Sequence, residues 1–324
     1  MPIEINDRNL KIWSTIGPRA TFGTSALEFV KDYKDMMILT CDVSTSAGLD
    51  RFRKSYSDNY LDIGIAEQNM IGIAAGLASE GYNVVTTTFA PFQVARCCEQ
   101  IKVNAGYMRQ KITMVGIASG LILGNLGFTH CCIEDIGILR SIPNIQIISP
   151  SDSLETIKAF EACLKSNTSS YIRLTGGSNN PIINKKDYDF KIGKSIKLLN
   201  GSDVTIFCNG AIVDECIKSA NILKNKNIDT SVINMHTIKP IDEEIILEQA
   251  KKTRLIVSVE EHNVIGGLGS AISECIIKQK DSPPLLRLGI DDNYSKGGSY
   301  SYLKNLYGLT SEKIVDNIQK KMNE

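Results

Sequence analysis

One carboxylate stands in an apolar run. In DIGIAEQNMIGIAAGLA, residues 62–78, Glu67 sits among isoleucines, alanines, glycines and a methionine. An ionised carboxylate taken out of water without a partner costs several kcal/mol or has its pKa driven up. Glu67 therefore needs a hydrogen-bonding neighbour, a ligand that supplies one, or a place in the first turn of a helix, where carboxylates are common. A second cluster with ligand-type side chains is His130-Cys131-Cys132. Three consecutive residues do not readily converge on one ion and no CxxC spacing occurs, so buried small residues are the expectation there. The nine cysteines, an odd number with two adjacent pairs, argue against a disulfide framework and read as reduced thiols. GGLGSA at 266–271 has part of a phosphate loop, but no Walker lysine and no complete GxGxxG, and reads as a helix start.

The elements that must position Glu67 belong to an ordinary globular chain. With 324 residues, 43% hydrophobic and 22% charged, there is material for two domains of common size. Lys plus Arg and Asp plus Glu balance at 36 each, so no basic field recruits nucleic acid or an anionic membrane. The opening MPIEINDRNLKIW has no basic segment followed by an apolar stretch, which predicts no signal peptide and a cytoplasmic location. The charge-free stretch between Lys111 and Glu134 is long enough to span a bilayer and carries Gly116, Gly120 and Gly124 in the spacing of membrane helix pairs. Its polar Asn125, Thr129 and His130, and the β-branched KITMVGI at its start, point instead to a buried parallel strand followed by a glycine-rich loop.

Helical patterns near 23–33, 66–80, 92–105 and 152–166 alternate with the short strand-like segments MMILT, NVVTTTF, KITMVGI, IQIIS and SYIRL. Such alternation predicts a parallel sheet covered by helices on both faces. After the polar, turn-rich stretch from Gly176 to Ser202, it resumes with DVTIFC, DTSVINM, RLIVSVE and PLLRLG, separated by helical patterns at 210–224, 242–252 and 266–278. The expected fold class is α/β with two doubly wound sheets: a first domain at 1–180, a linker at 181–200 and a smaller domain at 201–324.

Several strings then converge. GIAEQNMIGIAAGLA, TFAPF, GFTHCCIEDIGILRSIPN and YIRL, with HTIKPID and VEEHNVIGGLGSA further on, closely resemble the C-terminal half of transketolases over nearly the whole chain. The resemblance implies a pyrimidine-binding domain followed by a transketolase C-terminal domain, with thiamine diphosphate as cofactor. It gives Glu67 the role of hydrogen-bonding the aminopyrimidine ring nitrogen, which drives the amino group toward the imino form that removes the thiazolium proton. Phe89 and Phe92 match the aromatics that pack on the pyrimidine, and Asp42 matches an aspartate close to the cofactor. His130 matches a histidine that contacts substrate hydroxyls, where an imidazole can exchange a proton near neutral pH. Arg19, Ser46 and Arg173 match positions that hold a sugar phosphate, a task suited to guanidinium forks and a hydroxyl.

The chain departs from the family pattern at two places and lacks one part. Leu126 stands where the family usually has aspartate in Asp-Gly-x-Thr-His, and Ala118 stands where a second channel histidine is usual, which puts the substrate outside the usual set and toward a deoxy or otherwise modified sugar. No Gly-Asp-Gly, the motif that holds the Mg2+ or Ca2+ on the cofactor diphosphate, occurs in the sequence. The resemblance therefore implies the C-terminal subunit of a split enzyme, completed by an N-terminal subunit that carries the metal and diphosphate site in an α2β2 heterotetramer. The reaction implied is transfer of a two-carbon ketol unit from a phosphorylated ketose to an aldose. A 2-oxoacid dehydrogenase beta subunit, a deoxyxylulose phosphate synthase-like enzyme and a catalytically silent scaffold remain as alternatives with the same domains.

Overall fold

The computed structural model describes residues 3–324. Six strands of the first half are β1 (Met36–Thr40), β2 (Tyr60–Asp62), β3 (Asn83–Phe89), β4 (Ile112–Ile117), β5 (Ile145–Ile148) and β6 (Ser169–Arg173). β7 (Ile196–Leu199), β8 (Val204–Cys208), β9 (Thr230–Asn234), β10 (Thr237–Lys239), β11 (Leu255–Asn263) and β12 (Leu285–Ile290) follow. The first sheet runs β10-β5-β6-β4-β3-β1-β2 and the second β12-β11-β8-β9-β7, each parallel except for one antiparallel edge strand, β10 and β7 respectively.

β1, β4 and β6 are buried along their whole length. Helices cover both faces and leave no solvent side to alternate with, so β1 and β4 read as nearly continuous apolar runs, while the serines and arginine of β6 must find their partners indoors. On one face, helices Asp7–Phe29 and Ser153–Lys165 pack over Ile38, Val85 and Val115, with Phe22 and Phe160 edge to face at 4.9 Å. On the other, helix Glu67–Ser79 places Met70, Ile71 and Ala74 against Leu39, Val84 and Met114. This second cluster continues through Phe207, Ile233 and Met235, so the two sheets share a core.

The structure departs from the sequence expectations where the pattern is irregular. The first helix begins at Asp7, not near 23, capped by Asn6, whose side chain accepts from the Asn9 N–H at 2.9 Å. It is kinked at Gly17, whose φ of 79° only glycine adopts without strain, just before Pro18. The helix expected at 92–105 is broken into Ala90–Val94, Cys98–Gln100 and a π-turn at Ile101–Tyr107. Part of the stretch expected as linker forms β7, and β10 leaves the second sheet to pair with β5. The charge-free stretch after Lys111 is β4 followed by a loop, and no described helix is long and apolar enough to cross a membrane. All nine cysteines are free thiols.

Candidate active site

From β1 the chain steps to the edge strand β2, then crosses back to β3 on the other side of β1. Where successive connections of a parallel sheet leave in opposite directions, a crevice opens beyond the carboxyl ends of the strands. Here it is an open cleft of ≈ 330 Å³. Cys41, Asp42 and Val43 line it from the end of β1, Ile65 and Glu67 from the start of helix Glu67–Ser79, and Thr88, Phe89, Phe92 and Arg96 from the end of β3 onward.

Glu67 is the first residue of its helix and only 3% exposed. The turn before it is shaped by Asp62, whose Oδ1 accepts from the Asp42 and Gly64 N–H groups, both at 3.0 Å. Burial pushes the Asp62 carboxyl up, but those donors outweigh it and leave its pKa below the usual value. Within the chain, Glu67 is satisfied by a residue that sequence reasoning missed: Arg96 Nη1 lies 2.7 Å from Glu67 Oε2. The only trace in the sequence is the four-residue spacing from Phe92 to Arg96, which puts the guanidinium over that ring at 4.1 Å from its centre. Burial raises the thiols of Cys41 to about 11 and Cys97 to about 12, so they stay neutral beside the carboxylate.

Phe89 and Phe92 meet edge to face at 6.2 Å, and the His130 ring joins them at 6.1 Å and 5.4 Å. The His130 Nδ1 is 3.0 Å from the Thr129 hydroxyl. His130 rides on a loop pinned at its base by paired backbone hydrogen bonds between Gly120 and Cys132. The second half of the chain braces that loop: Glu261 accepts from the Leu121 N–H at 2.8 Å and from the Tyr300 hydroxyl, while Phe128 packs on Tyr294 at 5.2 Å. His262 joins the brace as a neutral acceptor, because burial lowers its pKa to about 4 and its Nε2 takes the Gly137 N–H at 3.2 Å. Leu126, 57% exposed, sits at the tip of the same loop.

Asp42 and Ala118 both hold positive φ, 56° and 55°, at the carboxyl ends of β1 and β4. Left-handed backbone on non-glycine residues costs energy and collects at functional edges. Asp42 is exposed and lines the cleft; Ala118 is wholly enclosed and does not line it. Arg19 follows the helix kink, and burial lowers its pKa. Its helix meets the loop of Ser46 backbone to backbone, since a Cβ on Gly23 would lie 2.1 Å from the Gly48 carbonyl oxygen.

Arg173 requires a correction. It is fully buried: Nε donates to both Asp135 oxygens at 2.9 Å, and Nη2 donates to the carbonyls of Cys132 at 3.2 Å and Glu261 at 2.8 Å. Burial alone would lower its pKa, but Asp135, Tyr171 and Glu261 around it raise it. This guanidinium ties the His130 loop to both sheets and is closed to a substrate phosphate.

The cleft suits a flat heteroaromatic ring. It offers a nearly buried carboxylate, two phenyl walls, and the Thr88 hydroxyl, which is buried without a hydrogen-bond partner. Among the described residues no group of three or more His, Cys, Asp or Glu could hold a metal ion.

Comparison with known proteins places this geometry. Residues 15–180 match the model of the transketolase pyrimidine-binding domain, and residues 193–314 that of the transketolase C-terminal domain. A subunit of 6-deoxy-6-sulfo-D-fructose transketolase from Clostridium sp. (strain MSTE9) is 36% identical, over 92% of this chain and 92% of that protein. One of the subunits of apulose-4-phosphate transketolase from Phocaeicola vulgatus is 34% identical, over 92% of this chain and 95% of that protein. A solved structure titled as a split gene transketolase, inactive beta4 tetramer, superimposes with a TM-score of 0.85 at 31% identity, covering 94% of this chain and 97% of its own. With both domain models matched in order and relatives more than 30% identical over almost their whole length, the chain belongs to the transketolase family.

Proposed function

We propose that this chain is the C-terminal subunit of a split, thiamine diphosphate-dependent transketolase. The observation that carries the reading is the 3%-exposed Glu67 carboxylate facing phenyl walls in a cleft at the sheet reversal. When bound, thiamine diphosphate supplies the carbanion chemistry that ketol transfer needs. The chain's own residues do the rest: Glu67 holds the pyrimidine ring nitrogen, Phe89 and Phe92 flank the ring, and Asp42 borders the cofactor. His130 exchanges protons with the hydroxyls and carbonyl oxygen of the sugar. Arg19 and Ser46 hold its phosphate. The metal and diphosphate half of the site, with Mg2+ or Ca2+, comes from an N-terminal subunit, in an α2β2 assembly working in the cytoplasm. Within this chain the pyrimidine-binding domain occupies 1–180 and the C-terminal domain 201–324, its sheet drawing in β7 from the intervening stretch.

Two results are expected. The chain alone turns over no sugar and binds thiamine diphosphate weakly, and mixing it with a chain bearing Gly-Asp-Gly restores both. A split-family neighbour described as an inactive tetramer supports this. Turnover by the purified single chain would sink the reading.

The acceptor is the second. At Leu126 an aspartate would hydrogen-bond a sugar hydroxyl, and leucine replaces that bond with desolvation worth roughly 1–3 kcal/mol. Relatives named for a sulfo-deoxy fructose and for apulose phosphate support a modified sugar. In the assembled enzyme, 2-deoxyribose 5-phosphate should compete well against ribose 5-phosphate, and Leu126→Asp should shift the ratio toward ribose 5-phosphate. A wide native preference for ribose 5-phosphate that Leu126→Asp leaves unmoved rules out the altered acceptor.

A further inference from the structure

One side chain joins the carboxylate of the cleft to its aromatic wall. Arg96 Nη1 is 2.7 Å from Glu67 Oε2, and the same guanidinium lies over the Phe92 ring at 4.1 Å. The backbone under it is tied as well, because Gln68 Nε2 donates to the Arg96 carbonyl at 3.1 Å, linking the turn that carries the arginine to the helix that begins with Glu67. Glu67 Oε1 takes no hydrogen bond from any described residue. A carboxylate has two oxygens and about four acceptor positions, so one contact on Oε2 leaves Oε1 open.

We infer that Arg96 is a positioning residue that holds Glu67 by Oε2 and Phe92 by its face, leaving Oε1 as the acceptor presented to the ring nitrogen of an aminopyrimidine. Three physical consequences follow from the contact. The guanidinium sets an opposite charge beside a nearly buried carboxylate. The carboxylate is ordered before a ligand arrives, so less side-chain freedom is lost on binding. The cation stands over the Phe92 ring and steadies the face against which a second flat group can stack. An ordinary exposed ion pair would do little of this, but here the acid is 3% exposed and the base 41%. The opposite role is also well defined: a latch that covers Glu67 and must leave before the cofactor enters would weaken binding, not assist it.

The inference rests on the proposed function, and the experiment separates the two. Wild type, Arg96→Leu, Arg96→Lys, Glu67→Gln and the double variant Arg96→Leu with Glu67→Gln are each assembled with the N-terminal partner. Each is titrated with thiamine diphosphate in Mg2+ by calorimetry. If the wild-type complex does not bind, the split-enzyme reading fails. If it binds, Arg96→Leu should weaken binding by roughly tenfold, the scale of one close ion pair in a partly buried site, and lower kcat while the sugar KM stays put. Arg96→Lys, which keeps the charge and loses the guanidinium, should fall between. In the Glu67→Gln background, Arg96→Leu should cost far less, because the two act on the same oxygen pair. Equal or tighter binding by Arg96→Leu, or strict additivity in the double variant, overturns the positioning role.

Discussion

Glu67→Ala in the assembled enzyme is expected to lower turnover by about 10² or more, the scale of a lost acid-base contact, while the chain still folds and assembles. The two halves of this expectation have separate causes. Glu67 contributes one carboxylate at a cleft mouth, not packing, and its partner Arg96 is exposed enough to be hydrated once the pair is gone. The first turn of its helix loses a favourable charge, worth about 1 kcal/mol or less at an N-terminus. Exchange of the thiazolium C2 proton with deuterium in the bound cofactor, followed by NMR, reads the chemical half directly. An exchange rate unchanged from wild type would make Glu67 a helix-terminus residue and nothing more.

The second large effect lies away from the cleft. Asp135→Ala removes the carboxylate paired with the fully buried Arg173, and the expected loss is about 3–5 kcal/mol, the range for breaking a buried pair from one side. Against a total stability of about 5–15 kcal/mol that is severe. Tyr171 loses its shorter hydrogen bond too, since its hydroxyl donates to Asp135 Oδ2 at 2.8 Å and lies 3.4 Å from the Ser119 hydroxyl. Urea unfolding of the isolated chain measures the cost, and a change under about 1 kcal/mol would mean that the guanidinium finds water or another acceptor in place of the carboxylate. The His130 loop should loosen in the same variant, because Arg173 also donates to the Cys132 carbonyl at its base.

How much of this was legible depended on what kind of order each residue obeys. MMILT coincides with β1 because a strand buried on both faces writes itself as an apolar run, and NVVTTTF coincides with β3 because its β-branched valines and threonines favour a strand. The first helix hid its N-terminal half behind Gly17-Pro18, which reads as a stop, although the chain bends there and continues helical. β7 and β10 are short edge strands whose identity comes from the partner strand, not from their own residues. Glu67 stands out because a carboxylate in an apolar run is a local anomaly, whereas Phe89 and Phe92 are picked out only by the family resemblance, since aromatics after a strand otherwise read as core. Arg96 was missed because its pairing with Glu67 crosses between two segments that no periodicity connects. Arg173 was misassigned although a signal was present: an arginine inside SYIRL, a fully buried strand, has to find its partners indoors.

The antiparallel strand β10 has a further meaning for modularity. Thr237–Lys239 come from the second half of the chain, yet they close the outer edge of the first sheet beside β5. A fragment cut anywhere between the two sheets would bare that edge, and an unpaired strand edge is a template for aggregation. The halves, although each matches its own domain model, are therefore not interchangeable cassettes: a chimera that swaps the second domain must bring a compatible β10 with it.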